Sequence, residues 1–309
     1  MKKYNESKEL EANNKKLGRV AVITNFNISD KLNAAIKVAN KLGALGCEIK
    51  IPVRGEEKLK EADRELAEKV EFLEFDRLYK SSDAVVVLGG DGTILETARY
   101  AASCELPVLG MNLGRLGYLA ELEMNELEML EDIVAGKYSL DERSMLKVSI
   151  KSAKKGKIYC GCALNDAIIS NGSAPKVIDL GLHESGSLIA TYRADGVIVA
   201  TPTGSTAYSM SAGGAVVDPR LDCFCVTPIC SHTLSSKPIL FPDSTELEFV
   251  NTWRREKMIC LTLDGRQTFD VYYGDSVLIS KASTRAKFIR VKPRSFYQTL
   301  RSKMSATEF

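Results

Sequence analysis

The sequence contains no long apolar stretch and no strong excess of either charge. No run of about 18 apolar residues occurs in the 309 residues, so we expect no membrane-spanning helix. The first residues, Met1 to Gly18, are polar and charged and lack the apolar core of a signal peptide, and we expect a cytoplasmic protein. There are 42 basic and 40 acidic residues, whereas a dedicated nucleic-acid binder normally has a clear basic excess, so we expect no nucleic-acid partner.

Histidine is scarce, and cysteine is too thinly spread for a disulfide scaffold. The two histidines, His183 and His232, have no serine partner in a triad-like setting, so we expect no serine–histidine nucleophile pair. The eight cysteines include Cys223, Cys225 and Cys230, whose C-x-C-x4-C spacing matches no common zinc pattern. We expect free, mostly buried thiols and assign no residue of the chain as a metal ligand.

The two halves of the chain have different hydrophobic patterns. In the first half, short apolar runs such as Val20–Thr24 and Ala84–Leu88 alternate with segments of helical spacing such as Leu32–Leu42. This alternation predicts a parallel sheet with helices on both faces. From about Leu146, short runs rich in Val, Ile, Tyr and Thr are separated by glycine and polar turns, which predicts a mostly β domain. The predicted fold class is therefore α/β, with an N-terminal parallel-sheet domain and a C-terminal β-rich, sandwich-like domain.

These patterns also predict the boundaries of the domains. We expect a flexible N-terminus (1–17), an α/β domain (18–140), a β-rich domain (141–294) and a closing segment with a short helix (295–309). Within them, the charged stretch Glu56–Leu73 has apolar residues at helical spacing and predicts one surface helix. Ala286–Val291 predicts a late strand of the β-rich domain.

A glycine-rich turn, Gly89-Gly90-Asp91-Gly92-Thr93, follows a buried strand and precedes a helix. Ligands of open parallel sheets bind beyond the carboxyl ends of strands, and glycines let backbone amides approach phosphate oxygens. The turn is neither a Walker A loop nor a dinucleotide fingerprint. An aspartate there is suited to accept a proton from a hydroxyl nucleophile or to hold a magnesium ion. The alternative is that Asp91 or Thr93 only caps the helix.

Two later segments supply polar groups in loops beside strands. Thr201–Ser211 is rich in hydroxyls and glycine, and Tyr208 within it is suited to stack on a base. Asn165 and Asp166 stand at the head of an apolar strand, where they are suited to bind an adenine edge and ribose hydroxyls. The alternatives are a capped helix packed closely on the sheet for the first segment and an Asx turn for the second.

Taken together, these segments resemble the NAD kinase family. The resemblance is carried by GGDGT at 89–93, NLGRLGYLAE at 112–121, ND at 165–166, RADG at 193–196 and TPTGSTAYSMSAGG at 201–214. It runs from about residue 18 to about residue 303. The GGDGT turn also occurs in lipid kinases and phosphofructokinases, whereas the segment at 201–214 is much more specific.

The resemblance implies phosphorylation of the 2′-hydroxyl of the adenosine ribose of NAD, which gives NADP. It implies ATP or polyphosphate as donor, a divalent cation such as Mg²⁺, NAD between the two domains, and a homodimer or homotetramer. Asp91 is implied as the proton acceptor. The implied NAD-binding residues are Asp91, Gly92, Asn165, Asp166, Lys176, Arg193, Asp195, Thr203, Thr206, Ala207, Tyr208, Ser209 and Ser211. The donor-phosphate loop is Gly89, Gly90, Gly92 and Thr93.

The chain departs from the family pattern at two positions. Glu96 stands where many members have a basic residue, and Arg266 stands where many have glutamine after Asp-Gly. Both changes bear on donor preference rather than on the class of reaction. Two other functions stay open at this point: a lipid kinase that shares the GGDGT turn, and a non-catalytic NAD-binding sensor.

Overall fold

The computed structural model describes residues 15–114, 117–152, 154, 156–172, 177–232, 236–253, 258–293 and 295–305. The chain divides into two compact units, Met1–Glu142 together with Ala286–Phe309, and Arg143–Arg285.

Strands and helices alternate in the first part of the chain, and strands predominate in the second. The strands are β1 (Arg19–Ile23), β2 (Glu48–Pro52), β3 (Glu71–Leu73), β4 (Ala84–Leu88), β5 (Val108–Asn112), β6 (Leu122–Glu123), β7 (Ser139–Arg143), β8 (Leu146–Ser152), β9 (Gly156–Ala163), β10 (Asp166–Ser170), β11 (Ile178–Glu184), β12 (Ser187–Ala194), β13 (Gly196–Ala200), β14 (Cys223–Ile229), β15 (Ile239–Pro242), β16 (Leu247–Asn251), β17 (Met258–Leu263), β18 (Gln267–Tyr272), β19 (Ser276–Lys281) and β20 (Ala286–Arg290). The helices are α1 (Ser29–Ala44), α2 (Glu56–Ala62), α3 (Arg64–Lys69), α4 (Phe75–Ser81), α5 (Asp91–Ala102), α6 (Leu130–Val134), α7 (Tyr208–Ser211) and α8 (Phe296–Ser305), with 3₁₀ turns at Val53–Gly55, Met124–Met129 and Gly204–Thr206.

The first unit is built on one eight-stranded sheet. Its strand order is β3-β2-β1-β4-β5-β20-β7, with β6 beside β5. The strands at its centre, β4 and β5, are buried along their whole length. Their parallel pairing is what continuous apolar runs predict, because helices cover both faces of such a sheet. The α/β part of the predicted fold class is therefore confirmed.

The second unit consists of two six-stranded sheets. One has the order β15-β14-β13-β10-β17-β18 and the other β12-β11-β16-β19-β8-β9, with antiparallel pairing between neighbours. A single buried cluster draws on both sheets, with Val148 and Phe249 from one and Ile169 and Leu261 from the other. This confirms the β-rich, sandwich-like part of the prediction.

Strand β20 lies in a different unit from the one that the sequence predicts. The sequence pattern assigns the segment 286–294 to the β-rich domain 141–294, but the structure places it in the first unit. The reason is a parallel pairing in which Phe288 on β20 lies opposite Val108 on β5, with Phe288 and Ile289 in buried positions. A short apolar run has no feature that tells a parallel strand from an antiparallel one.

The charged stretch Glu56–Leu73 is not one helix. It forms α2, α3 and the short strand β3, with a break at Asp63. Asp63 has extended backbone angles (φ −150°, ψ 91°), and its carboxylate accepts a hydrogen bond from the Leu66 N–H at 2.9 Å. An aspartate that caps a new helix in this way ends the preceding one. By contrast, the predicted helix at 295–303 corresponds closely to α8.

Within the described parts of the chain, none of the helices is both long and apolar enough to cross a membrane.

Replacing Phe288 with alanine tests the place of β20 in the first sheet. Phe288 is fully buried, so we expect Phe288→Ala to lower the free energy of unfolding by about 3–5 kcal/mol through lost burial and a residual cavity. Urea denaturation followed by circular dichroism measures the change. Tyr297→Ala is the control, since this aromatic side chain is 56% exposed and its loss should cost less than about 0.5 kcal/mol. Equal effects of the two substitutions would contradict the assigned burial.

Candidate functional site

The glycine turn joins the buried strand β4 to helix α5. Gly90 is the residue at which α5 is capped, with extended angles (φ −83°, ψ 176°) and no side-chain capping bond, and Asp91 is the first helical residue. The alternative in which Asp91 or Thr93 serves as the cap is therefore wrong. A Cβ atom on Gly90 or Gly92 would meet nothing within 4 Å, so the backbone at these two positions is open to a ligand.

The Asp91 carboxylate is held by a second loop of the same unit. Its Oδ2 accepts a hydrogen bond from the Tyr118 N–H at 2.8 Å, and its Oδ1 accepts one from the Leu119 N–H at 3.1 Å. A Cβ atom at position 117 would lie 1.8 Å from the Asp91 Oδ1, so Gly117 is what lets the loop come this close. A carboxylate has about four acceptor positions, and two N–H donors leave others for a ligand.

The Asp91 charge interacts with the helix and with the neighbouring Tyr118. Asp91 lies in the first turn of α5, where the helix dipole stabilises a negative charge. The same negative charge, together with burial as the larger cause, raises the pKa of the neighbouring Tyr118 hydroxyl above its ordinary value. The Lys303 ammonium of α8 lies 5.5 Å from the centre of the Tyr118 ring. The 117–119 loop thus contacts the turn through its backbone and α8 through the Tyr118 ring.

In the second unit, Asp264 organises the segment that carries Asn165 and Asp166. Its carboxylate accepts hydrogen bonds from three successive backbone N–H groups, those of Leu164 (3.0 Å), Asn165 (2.8 Å) and Asp166 (3.1 Å). The Asp264 backbone N–H donates in return to the carbonyl of Asp166 at 3.0 Å. Asp264 has φ 48°, a left-handed conformation that aspartate tolerates better than most residues. The Asn165-Asp166 segment is therefore fixed through its backbone groups, with Asn165 half-buried and Asp166 buried.

The loop after β13 fixes the other side of the same segment. The Thr201 N–H donates to the Asn165 carbonyl at 2.9 Å, and the Thr201 hydroxyl donates to the Leu164 carbonyl at 2.6 Å. A Cβ atom on Gly204 would lie 2.0 Å from the Asn165 carbonyl oxygen. Only glycine fits there, so the structure brings together two of the segments that the sequence singles out.

The predicted residues of the 201–214 segment differ in how accessible they are. Ser209 is fully buried, and its hydroxyl is hydrogen-bonded to that of Thr227 at 3.1 Å, so this side chain packs α7 on the sheet. Thr203 is also buried and accepts a hydrogen bond from Arg143 at 3.3 Å. The remaining predicted residues are partly or fully exposed: Thr206, Ala207, Tyr208 and Ser211.

Asp195 lies directly before the other end of β13, and Arg193 is near the end of the preceding strand, β12. In its pairing with β10, Ala200 is opposite Asp166, whereas Gly196 is opposite Ser170. At about 3.4 Å per residue, Asp195 and Asp166 are roughly 17 Å apart along the strand. These two pairs of residues cannot hold the same group of a ligand. Lys176 lies outside the described residues.

Burial next to a second carboxylate sets Asp166 apart. Burial, and then the negative charge of Asp264, raise the pKa of the Asp166 carboxyl to about 7. A buried carboxyl group that titrates near neutrality is a common sign of a functional site.

Two features of the site are missing from the sequence-based prediction. The 117–119 loop enters that prediction only as part of a family motif, with no role for its backbone, and Asp264 enters only as the neighbour of Arg266. The available signal for Asp264 is an Asp-Gly pair between two strand patterns, which predicts a turn but not what its carboxylate binds.

The cysteines do not form a site. All eight thiols are free, with Cys225 buried, Cys223 half-buried and Cys230 exposed. Among the residues that the structure describes, no three His, Cys, Asp or Glu side chains are grouped so that they could hold a metal ion.

Comparison with known proteins gives matches over both units. Residues 20–138 match the model of the ATP-NAD kinase N-terminal domain, and residues 164–291 match the model of the ATP-NAD kinase C-terminal domain. The chain is 45% identical to the NAD kinase of Carboxydothermus hydrogenoformans over 236 residues, which are 76% of this chain and 84% of that protein. It is 41% identical to the NAD kinase of Geobacter sulfurreducens over 227 residues, 72% of this chain and 78% of that protein.

Solved structures share the fold. The crystal structure of yeast NADH kinase complexed with NADH superposes with a TM-score of 0.87 at 23% identity, covering 96% of this chain and 89% of that one. The NAD kinase from Archaeoglobus fulgidus in complex with ATP gives a TM-score of 0.68 at 24% identity, covering 93% of this chain and 97% of that one.

A methyl group at position 117 should disturb the loop that holds Asp91. We expect Gly117→Ala to lower the free energy of unfolding by about 1–3 kcal/mol, because the carboxylate or the loop must move and hydrogen bonds are lost. Gly114→Ala is the matched control, because a Cβ atom there meets nothing within 4 Å, and its effect should stay within about 0.5 kcal/mol. Urea titration of both variants measures the difference, and equal stability of the two would refute the close approach.

Asp166 should make stability depend on pH. Its folded-state pKa of about 7 lies above that of an unfolded aspartate, so its contribution to stability is present below about pH 4 and is lost as pH rises through about 7. We expect Asp166→Asn, which cannot ionise, to be more stable than the parent by roughly 1–4 kcal/mol at about pH 8, with the difference disappearing near about pH 4.

Urea denaturation at the two pH values measures this difference. Asp270→Asn removes an exposed aspartate of the same unit and should leave stability unchanged at both. A pH-independent effect of Asp166→Asn would show that ionisation of Asp166 carries no cost.

Proposed function

Because the chain belongs to the NAD kinase family and is an NAD kinase, we propose that Asp91 accepts the proton of the ribose hydroxyl that attacks ATP. The hydroxyl is the 2′-hydroxyl of the adenosine ribose of NAD, and the product is NADP. One observation carries the proposal: the Asp91 carboxylate stands at the start of α5, fixed by the N–H groups of Tyr118 and Leu119, with acceptor positions left over.

The reaction is an in-line transfer without a covalent enzyme intermediate. The 2′-oxygen forms a bond to the terminal phosphorus of the donor, the bond from that phosphorus to the bridging oxygen breaks, and ADP leaves when ATP is the donor. The proton of the hydroxyl passes to Asp91. A general base contributes about 10²–10⁴-fold to such a step when it lies within hydrogen-bond reach of the hydroxyl. A carboxylate held by two backbone donors keeps its place during this transfer.

The donor phosphates bind at the glycine turn. Gly90 and Gly92 leave the backbone open, and the N-terminus of α5 favours anions. A Cβ atom added at Gly89 would lie 3.1 Å from the Thr93 side chain, so a glycine at this position leaves room for that side chain in the turn. Backbone N–H groups recognise phosphate of any origin, so a polyphosphate donor is compatible with the same turn.

The second unit binds the adenosine part of NAD. The backbone of Asn165 and Asp166 is fixed from both sides by hydrogen bonds. Their side chains are suited to bind the adenine edge and the ribose hydroxyls. Arg193 and Asp195 line the nicotinamide or neighbouring-subunit side, and the distance of Asp195 from Asp166 along β13 supports this. Side chains of the loop after β13 form a second wall: Thr203, Thr206, Ala207, Tyr208 and Ser211.

A divalent cation, Mg²⁺, accompanies the donor. Mg²⁺ is commonly held by one or two carboxylates together with substrate phosphates rather than by a full protein cage. The described residues have no cluster of three acidic or metal-binding side chains, which fits a cation carried mainly by the phosphates of ATP. When bound, Mg²⁺ offsets negative charge on those phosphates. The cytoplasmic location and the homodimeric or homotetrameric state stay predictions.

Replacing Asp91 with asparagine tests the role of its carboxylate. We expect Asp91→Asn to lower kcat for NADP formation by at least about a hundredfold, because asparagine cannot take up the proton, while NAD still binds. The assay uses purified protein, NAD, ATP and Mg²⁺, with NAD binding measured by calorimetry.

Asp30→Asn is the matched control, since Asp30 is an exposed aspartate in the first turn of α1 and its loss should leave kcat within about twofold. Equal turnover by Asp91→Asn and the parent would remove Asp91 from its role. Absence of NADP formation by the parent, with NAD still bound, would favour the NAD-binding sensor instead.

A further inference from the structure

Arg290, at the end of β20, contacts the loop that holds Asp91. Its Nη1 donates a hydrogen bond to the Leu119 carbonyl at 3.0 Å, and the Leu119 N–H donates to the Asp91 Oδ1 at 3.1 Å. We propose that Arg290 is a positioning residue for phosphoryl transfer, which places the Asp91 carboxylate through Leu119. The inference rests on the proposed role of Asp91 as proton acceptor.

Arg290 is itself fixed by two carboxylates of the same unit. Its Nε donates to Asp141 at 3.1 Å, and its Nη1 lies 3.3 Å from an oxygen of Glu121. Glu121 is 1% exposed and Arg290 is mostly buried, so water has little access to either side chain. A guanidinium group donates in several fixed directions at once, and here these directions reach a carbonyl and two carboxylates.

Glu121 joins this arrangement to β5 and to the residues that follow β20. Its other carboxylate oxygen accepts hydrogen bonds from the N–H groups of Val291 (2.9 Å) and Lys292 (2.8 Å), which follow β20. Its own N–H donates to the carbonyl of Gly110 on β5 at 2.8 Å. The loop, β5 and the end of β20 are thereby joined at one buried point.

The effect of Arg290 on Asp91 is one of position more than of charge. Glu121 and Asp141 balance the charge of the guanidinium, and the contact runs through the two polar groups of Leu119, whose carbonyl faces Arg290 and whose N–H faces Asp91. Misplacement of a reacting group by about 1 Å can lower a rate by about a hundredfold. Loss of Arg290 should therefore lower kcat while binding of NAD is retained.

The experiment compares Arg290→Met and Arg290→Lys with a control on the same strand. Lys287 is also a cation of β20 with an acidic partner, Glu105 at 3.3 Å, and none of its described hydrogen bonds reaches the 117–119 loop, so Lys287→Met is the matched control. We expect Arg290→Met to lower kcat by about 10–100-fold with KM for NAD within about threefold of the parent. Arg290→Lys should lie in between, because lysine keeps the charge but cannot donate in three directions at once. Lys287→Met should leave both parameters within about twofold.

Chemical rescue separates positioning from a general loss of structure. We expect millimolar guanidinium to restore part of kcat to Arg290→Ala and none to Asp91→Asn.

A normal kcat in Arg290→Met beside an inactive Asp91→Asn would overturn this inference and leave the proposed function standing. An active Asp91→Asn would overturn the proposed function, and the inference with it. Equal losses in kcat and in affinity for NAD, without rescue, would assign Arg290 a structural role only. If Arg290→Met does not fold, the same readouts on Arg290→Lys decide between these outcomes.

Discussion

The hydrogen bonds from Tyr118 and Leu119 to the Asp91 carboxylate require two chain segments to approach more closely than side chains normally permit. Gly117 meets this requirement, since its Cα lies where any Cβ would collide with the carboxylate. The approach also depends on the end of β20, because Arg290 and the backbone after it hold the loop through Leu119 and Glu121. The catalytic role proposed for one aspartate therefore depends on a strand about 200 residues further along the chain.

The second unit also joins an aspartate carboxylate to backbone N–H groups, but there the carboxylate has the structural role. There Asp264 is the structural carboxylate, and the three N–H groups that it binds belong to the segment of Asn165 and Asp166, for which we propose binding of adenosine. Gly204 plays the part of Gly117 by allowing a backbone carbonyl within van der Waals distance of the chain. In both units an aspartate gathers backbone donors and a glycine makes room, so the functional side chains stand on backbone that is fixed by hydrogen bonds.

The sequence is sufficient to predict the fold class, most elements and the chemical groups, but not the break at Asp63 or the contacts between distant segments. The alternation of runs such as Ala84–Leu88 with helical spacing predicts the parallel sheet, because burial on both faces leaves a clear pattern. The pattern of Ala286–Val291 predicts the wrong unit, because pairing partners far apart in sequence leave no local trace. Asp91 is predictable from its three flanking glycines. Its partners are not, because they are backbone N–H groups, which every residue but proline has.

Asp91 and Asp166 are residues of one type whose carboxyl groups lie in different environments. Asp91 is the first residue of a helix and accepts hydrogen bonds from two backbone N–H groups, which keep its carboxylate in one orientation. Asp166 is buried beside Asp264, where ionisation is costly, and its carboxyl titrates near neutrality. A chain selected for stability alone would have a neutral residue at 166. Under the proposed function, ribose hydroxyls donate hydrogen bonds to this carboxyl on binding, so that the cost of its ionisation in the free protein is offset in the complex.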